Sequence, residues 1–396
     1  MNLYEFEGKQ LFEKSGIAIP HGFVIRRGDN VVSKYNEFDI VDVVVKAQVL
    51  SGKRGKNNAI RFCSSADEVQ QATEELFAMD VRGQYVTAVW VEEKLNIAEE
   101  HYMSIVYDTT NKQPVFIYSH EGGMDIEDVM EENVIKIPLD IRDIEWNGGN
   151  NLWEDGLREI IKKLWQCFLE HDARIVEINP LVQTRDNKWV AVDAKIALDD
   201  DAFFRHGSTN SPQVTNWEEF EPRTMMGRLP TDREIAVKKI DEGEKYYQGT
   251  AGKYIEMDGD IACLFMGGGA SIANMDALMR VGLKPANYTE YSGNPPREKV
   301  YELTKIVLSK PGLRGLWIVG VVSNFTNVEE TFLGTIDALD ELKPSFPIVI
   351  RRDGPFGEDG RKLMQDCAER NNLTMKIFGK EVGMGETAEV LAELVK

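Results

Sequence analysis

Near residue 179 the chain reads Arg174-Ile-Val-Glu177-Ile-Asn179-Pro180-Leu, and later Trp189-Val-Ala-Val-Asp193-Ala-Lys195. Asn179 and Asp193 stand fourteen positions apart, near the ends of two short apolar runs. The polar stretch Thr184–Lys188 between the runs predicts an antiparallel hairpin. Such a hairpin sets an amide oxygen beside a carboxylate, with a second carboxylate at Glu177. That oxygen set suits Mg²⁺, which takes one or two protein oxygens when it also carries nucleotide phosphates. On spacing alone the same residues describe an ordinary polar-tipped hairpin, so the remainder of the chain has to decide.

Two further groups have types and spacing suited to a nucleotide. Lys46 ends a predicted strand, and Gly52-Lys53-Arg54-Gly55-Lys56 follows it. Glycines let the backbone approach phosphate oxygens, and the cations neutralise them. The P-loop spacing is absent, and a solvated basic turn would read the same way. Glu92 and Glu100 flank Lys94–Ala98 after another strand. They could hold ribose hydroxyls or a metal, or form a solvated acidic face.

The elements that must position these residues fall into two patterns. Up to about residue 240, strands and helices alternate irregularly, as in an α+β domain. Strands are expected at Val41–Val45 and Thr87–Val91, and a hairpin over Met103–Tyr107 and Val115–Tyr118. Helical spacing runs from Trp153 to Glu170 through Leu157, Ile160, Ile161, Leu164 and Phe168. From Asp199 to Arg233 the pattern lapses into a long connection, and the domain boundary is placed after it, at 240/241. From Asp260 the order is regular: Ile261–Phe265, Leu316–Val319, Ile348–Ile350 and Met375–Phe378 are strands in βα units. A Gly267-Gly268-Gly269 turn precedes a helix expected from about Ile272. Repeated βα units imply an open parallel sheet that binds ligands at its carboxyl edge.

Composition excludes several classes. The 396 residues carry 46 Lys plus Arg against 66 Asp plus Glu, a net charge of -20, which argues against nucleic-acid binding. With no long apolar span and no signal peptide, a cytoplasmic location and no membrane partner are expected. The four cysteines lack metal spacing and are expected to be reduced structural thiols. The five histidines are isolated, and none is expected to carry a transferred phosphoryl group.

Val44-Val-Lys-Ala-Gln48, Gly52–Lys56, His120-Glu-Gly-Gly-Met-Asp-Ile126 and Val176-Glu-Ile-Asn-Pro-Leu181 occur in that order after an opening Leu3-Tyr-Glu-Phe-Glu-Gly-Lys-Gln-Leu11. This set resembles the ATP-grasp domain of the nucleoside-diphosphate-forming acyl-CoA synthetase superfamily. The resemblance implies a two-lobed ATP-grasp domain followed by a flavodoxin-like ligase domain. It also implies that Lys46, Arg54 and Gly55 face ATP phosphates, and that Glu92 and Leu95 form the adenine–ribose hinge. Glu100 then faces the nucleotide, Asn179 and Asp193 hold Mg²⁺, and Glu177 is catalytic.

In the second half, Ala286-Asn-Tyr-Thr-Glu-Tyr-Ser-Gly293, Ser323-Asn-Phe-Thr-Asn-Val328 and Arg351-Arg352-Asp-Gly-Pro355 resemble the ATP-citrate lyase branch rather than succinyl-CoA synthetase β chains. That resemblance implies a citrate site of Ser292, Gly293, Asn324, Phe325, Thr326 and Arg352, with Arg352 also catalytic. The physical reading agrees: Asn324 and Thr326 lie where a strand meets a helix N-terminus, and Arg352 can pair with a carboxylate. Asn324 and Thr326 could equally cap the helix Val328–Leu342. The implied partner is a second subunit with CoA-binding, phosphohistidine and lyase domains, in a hetero-oligomer that consumes ATP, citrate and CoA. The alternatives are a citryl-CoA synthetase subunit, a succinate–CoA ligase β subunit, and a non-catalytic scaffold.

Overall fold

The computed structural model describes residues 1–396 apart from 51–53, 147–151, 207–215, 222, 225–227 and 243–246. Gly52 and Lys53 of the basic stretch therefore lie outside the described residues. The chain divides into two compact units, Met1–Leu229 and Pro230–Lys396. Among the described residues no helix is long and apolar enough to cross a membrane.

The first lobe of unit 1 contains α1 (Glu5–Lys14), β1 (Gly22–Arg26), α2 (Val31–Phe38), β2 (Val43–Gln48), β3 (Ile60–Cys63), α3 (Ala66–Ala78), the short β4 (Asp80–Val81) and β5 (Gln84–Tyr85), and β6 (Ala88–Glu93). Its sheet has the order β1-β6-β2-β3, all antiparallel. Side chains alternate across a strand, so β2 and β6 each present two faces. Val43, Val45, Ala47, Val89 and Val91 enter one core with Val69, Ala72 and Leu76 of α3. Lys46, Gln48, Trp90 and Glu92 take the opposite face, and all are buried. A buried charge has to be paired, and α1 supplies the partners described below.

The second lobe contains β7 (Ile97–Asp108), β8 (Gln113–Ser119), β9 (Val134–Pro138), α4 (Asp155–Glu170), β10 (Ala173–Thr184), β11 (Trp189–Ala191), β12 (Lys195–Leu198) and α5 (Phe203–His206). The sheet runs β11-β10-β7-β8-β9, with β12 also on β10. The expected hairpin of β7 and β8 is present, with Met103 paired to Tyr118. The apolar stripe of α4 (Leu157, Ile160, Ile161, Leu164, Phe168) is buried in the lobe's core. Trp217 and Phe220 join this core, so part of the patternless connection folds back onto unit 1. Two apolar residues in a polar stretch have no period to betray them.

Unit 2 contains α6 (Asp232–Lys238), β13 (Thr250–Glu256), β14 (Ile261–Met266), α7 (Gly268–Arg280), β15 (Asn287–Ser292), α8 (Arg297–Leu308), β16 (Gly315–Val322), α9 (Val328–Leu342), β17 (Ile348–Asp353), α10 (Gly357–Asn371), β18 (Met375–Phe378) and α11 (Glu386–Leu394). The order is β13-β15-β14-β16-β17-β18. All pairs are parallel except β13, an antiparallel edge strand. Even-numbered residues of the central strands β14, β16 and β17 pack against α8, α9 and α10. Their odd-numbered residues pack against α7 and α11. The units part at 229/230 rather than 240, because α6 sends Val237 into the core of unit 2. Helix α7 starts at Gly268, ahead of the expected Ile272: Gly267, at φ +95°, makes the turn alone.

Candidate active site

In unit 1 one register holds on both sides of the hairpin gap: Leu181 pairs with Ala191, and Val176 with Ile196. Continued through the gap, that register sets Asn179 opposite Asp193. Asn179 Oδ1 accepts the Gly123 N–H at 2.8 Å, and its Nδ2 donates to Met124 O at 2.8 Å. The glycine loop after β8 is thereby tied to the hairpin. Glu100 reaches the same loop: its Oε2 lies where a Cβ on Gly123 would collide with it. Asn179, Glu100 and Asp193 are thus gathered around the gap, and only a glycine permits that approach. Glu177 stands beside them, its Oε2 taking bonds from Lys195 Nζ at 3.1 Å and the Tyr102 hydroxyl at 3.4 Å. Burial first, then the Glu177 charge, raises the Tyr102 pKa.

Lys46 and Arg54 do not stand free for phosphates. Lys46 Nζ pairs with Glu92 at 2.6 Å and Glu5 at 3.1 Å, and donates to Val192 O at 2.8 Å. Arg54 bridges Glu5 and Asp193, the latter at 2.6 Å. Lys9 pairs with Glu5 at 2.8 Å and also with Glu92. Gln48 Nε2 donates to Glu5 at 3.3 Å, and Trp90 Nε1 to Glu92 at 2.5 Å. Among the described residues three cations thus face three carboxylates in a cluster spanning α1, β2, β6 and the hairpin. Burial alone would raise the Glu5 pKa, but Arg54, Lys46 and Lys9 hold it well below the carboxylate range. Burial pulls Lys46 down, and Glu5 and Glu92 more than reverse this.

Glu92 is 1% exposed and held between Lys9 and Lys46, facing α1 across the sheet. Leu95 lies in the linker after β6, half-buried, and Gly55 opens an exposed turn after Arg54. Glu5 and Lys9 were missed by sequence reasoning. The available signal was their i,i+4 spacing in the opening helix, opposite a strand that places Lys46 and Gln48 on one face.

In unit 2 the three loops at the carboxyl edge are tied together. The Asn327 N–H donates to Asn294 Oδ1 at 2.8 Å, Ser323 N–H to Asp353 O at 2.9 Å, and Val328 N–H to Pro355 O at 3.0 Å. Ser292 ends β15, and Gly293 turns at φ +71°. Asn324 and Phe325 are exposed and Thr326 is buried. Neither Asn324 nor Thr326 caps α9. Asn327 does, accepting the Glu330 N–H at 3.1 Å, which leaves the other two for other work. Arg352 is 2% exposed. Its Nη1 donates to Val321 O at 2.9 Å, its Nε has no partner, and no acid pairs with it among the described residues. Burial lowers its pKa from the usual guanidinium value. Among the described residues no three His, Cys, Asp or Glu side chains form a metal-binding group. The Asn179/Asp193 pair fits an ion that completes its shell with phosphates and water.

The fold and these sites define an ATP-grasp acid–CoA ligase chain. A family model described as ATP-grasp domain matches residues 2–183, and one described as ATP citrate lyase citrate-binding matches 228–392. The β subunit of ADP-forming succinate–CoA ligase from Methanocaldococcus jannaschii is 34% identical, over 96% of this chain and 99% of its own. That from Desulfurococcus amylolyticus is 31% identical, over 92% and 93%. ATP citrate lyase from Methanothrix soehngenii, solved with citrate and coenzyme A, has the same fold, with a TM-score of 0.75 at 24% identity over 99% of both chains. The chain belongs to the nucleoside-diphosphate-forming acyl-CoA synthetase family, as a homologue of the succinate–CoA ligase β subunit.

Proposed function

We propose that this chain is the nucleotide- and citrate-binding subunit of a two-chain ATP-citrate lyase. The observation that carries the reading is Arg352. It is a guanidinium sealed from water, with no carboxylate partner among the described residues, beside the Ser323–Asn327 loop, in the segment matched by the citrate-binding model. A buried unpaired cation is costly, and an anionic ligand removes that cost.

In this reading ATP phosphorylates a histidine on the partner subunit. The phosphoryl group passes to a citrate carboxylate, and the CoA thiol displaces phosphate from citryl phosphate. The partner's lyase domain then splits citryl-CoA to acetyl-CoA and oxaloacetate. Lys46 turns from Glu5 and Glu92, and Arg54 from Asp193, to the ATP phosphates. Asn179 and Asp193 hold Mg²⁺, which neutralises the charge that builds on the transferred group. Glu177, between Tyr102 and Lys195, orients the incoming imidazole. Ser292, Gly293, Asn324, Phe325 and Thr326 enclose citrate around Arg352.

The succinate–CoA ligase relatives support a second reading, in which the acid is succinate. Calorimetry of the assembled enzyme with each acid separates the two. Citrate is expected to bind and succinate not, and Arg352→Leu to weaken citrate by about 2–4 kcal/mol with ATP binding intact. Equal binding of both acids, or unchanged citrate affinity in the variant, would overturn the reading. Accumulation of citryl-CoA without acetyl-CoA would assign the complex to citryl-CoA synthesis instead.

A further inference from the structure

One row of residues crosses four adjacent strands of unit 2. Tyr291 on β15 pairs with Met266 on β14, and Met266 pairs with Gly320 on β16. Val319 pairs with Arg351 and the register shifts before Val322; Gly320 lies beside Arg352 of β17, whose Nη1 a Cβ on that glycine would meet. Tyr291 and Met266 belong to the core on the α8–α10 face, and alternation puts Arg352 on that face with Ile350. Gly320 contributes no side chain to the row. A Cβ there would stand 3.0 Å from Arg352 Nη1 and 2.6 Å from Met266 Cβ. The guanidinium therefore lies across β16, over the glycine, toward Tyr291.

Both ends of this reach carry an unmet polar group. The Tyr291 hydroxyl is fully buried, and among the described residues neither it nor Arg352 Nε has a hydrogen-bond partner. Burial raises the Tyr291 pKa while the Arg352 charge acts against it, so the phenol stays protonated and near the guanidinium. A phenol oxygen accepts as well as donates, and a guanidinium offers five N–H groups in a fixed fork. One N–H of Nη1 is committed to Val321 O.

Resting on the citrate reading above, we propose that Tyr291 is a positioning residue for Arg352. Its oxygen takes the Nε–H when the acid substrate binds, which leaves the Nη1/Nη2 edge as the one that meets the carboxylate. Without that anchor the fork could offer either edge, and one carboxylate geometry would no longer be selected.

The test uses the assembled two-chain enzyme and Tyr291→Phe, which removes one oxygen and little volume. The citrate KM is expected to rise about tenfold. The kcat, the ATP KM, the rate of histidine phosphorylation and the Tm should hold. In an Arg352→Lys background, which has no Nε–H fork, Tyr291→Phe should add nothing, because a residue that acts through another shows full non-additivity. A citrate KM unchanged in Tyr291→Phe overturns the proposal. So does an effect that persists undiminished beside Arg352→Lys, which would mark Tyr291 as packing only. Should the wild-type enzyme turn over succinate and not citrate, the citrate reading fails. The same two comparisons with succinate then decide the role of Tyr291 separately.

Discussion

Asp193 is asked to do two things. Its Oδ1 takes bonds from Arg54 at 2.6 Å and from the Ala194 N–H at 2.7 Å. In the proposed reaction it holds the metal. Arg54 can release it because Glu5 remains as the guanidinium's other partner. Asp193→Ala should therefore leave the chain folded while ATP-dependent phosphorylation of the partner histidine is lost. A radiolabel assay reads this, and phosphorylation near the wild-type rate would remove Asp193 from the metal site. Lys46, Arg54, Asn179 and Asp193 were legible as candidates because their residue types suit phosphate and metal. Their ion pairs were not legible, since Glu5 and Lys9 lie far from the hairpin in sequence and meet it only across a sheet.

Helix α9 separates capping from binding at the level of an element. Asn327 caps it, and the Asn327 N–H is itself held by Asn294. Loss of an Asn cap costs about 1 kcal/mol. Asn327→Ala should thus lower the urea-unfolding free energy of unit 2 by about that amount. Asn324→Ala, one turn of loop earlier and exposed, should leave stability unchanged and weaken citrate binding. The opposite pattern would return the cap to Asn324. Sequence alone placed a strand ending at Val319, a polar run and a helix starting at Val328 within ten residues. It named Asn324 and Thr326 as possible caps and passed over Asn327, which does cap the helix, because the choice depends on where the backbone leaves the extended region.

Across the whole molecule, all five histidines fall in unit 1, and unit 2 has none. Burial first, and then the neighbouring His206, lowers the His171 pKa to about 4 from 6.5. Burial also lowers that of His101. The unfolded chain therefore takes up protons below pH 6.5 that the folded unit refuses. The stabilisation is complete above the unfolded value and is lost as pH falls toward 4. For His171 this amounts to about 3 kcal/mol. Proteolysis in graded urea should accordingly cut unit 1 at lower denaturant at pH 5 than at pH 7, with a smaller shift in unit 2. Equal shifts would show that these imidazoles do not set the acid limit.

The sequence by itself determined what depends on local order and residue type. It marked the βα repeat of unit 2, the stripe of α4, the β7–β8 hairpin, and the residues whose chemistry suits phosphate, metal and carboxylate. Periodicity reports which face of an element is apolar, and it picked out α4, whose other face meets water. It fails where both faces are buried, as in β2 and α1, since buried charge then looks like a surface. Only the tertiary structure decided that Glu92 faces Lys9 and Lys46, that Trp217 and Phe220 return to the core of unit 1, and that a bare glycine lets Arg352 lie toward Tyr291. Each of these depends on which strands become neighbours, and strand neighbours are chosen by packing over the whole unit rather than by any window of the chain.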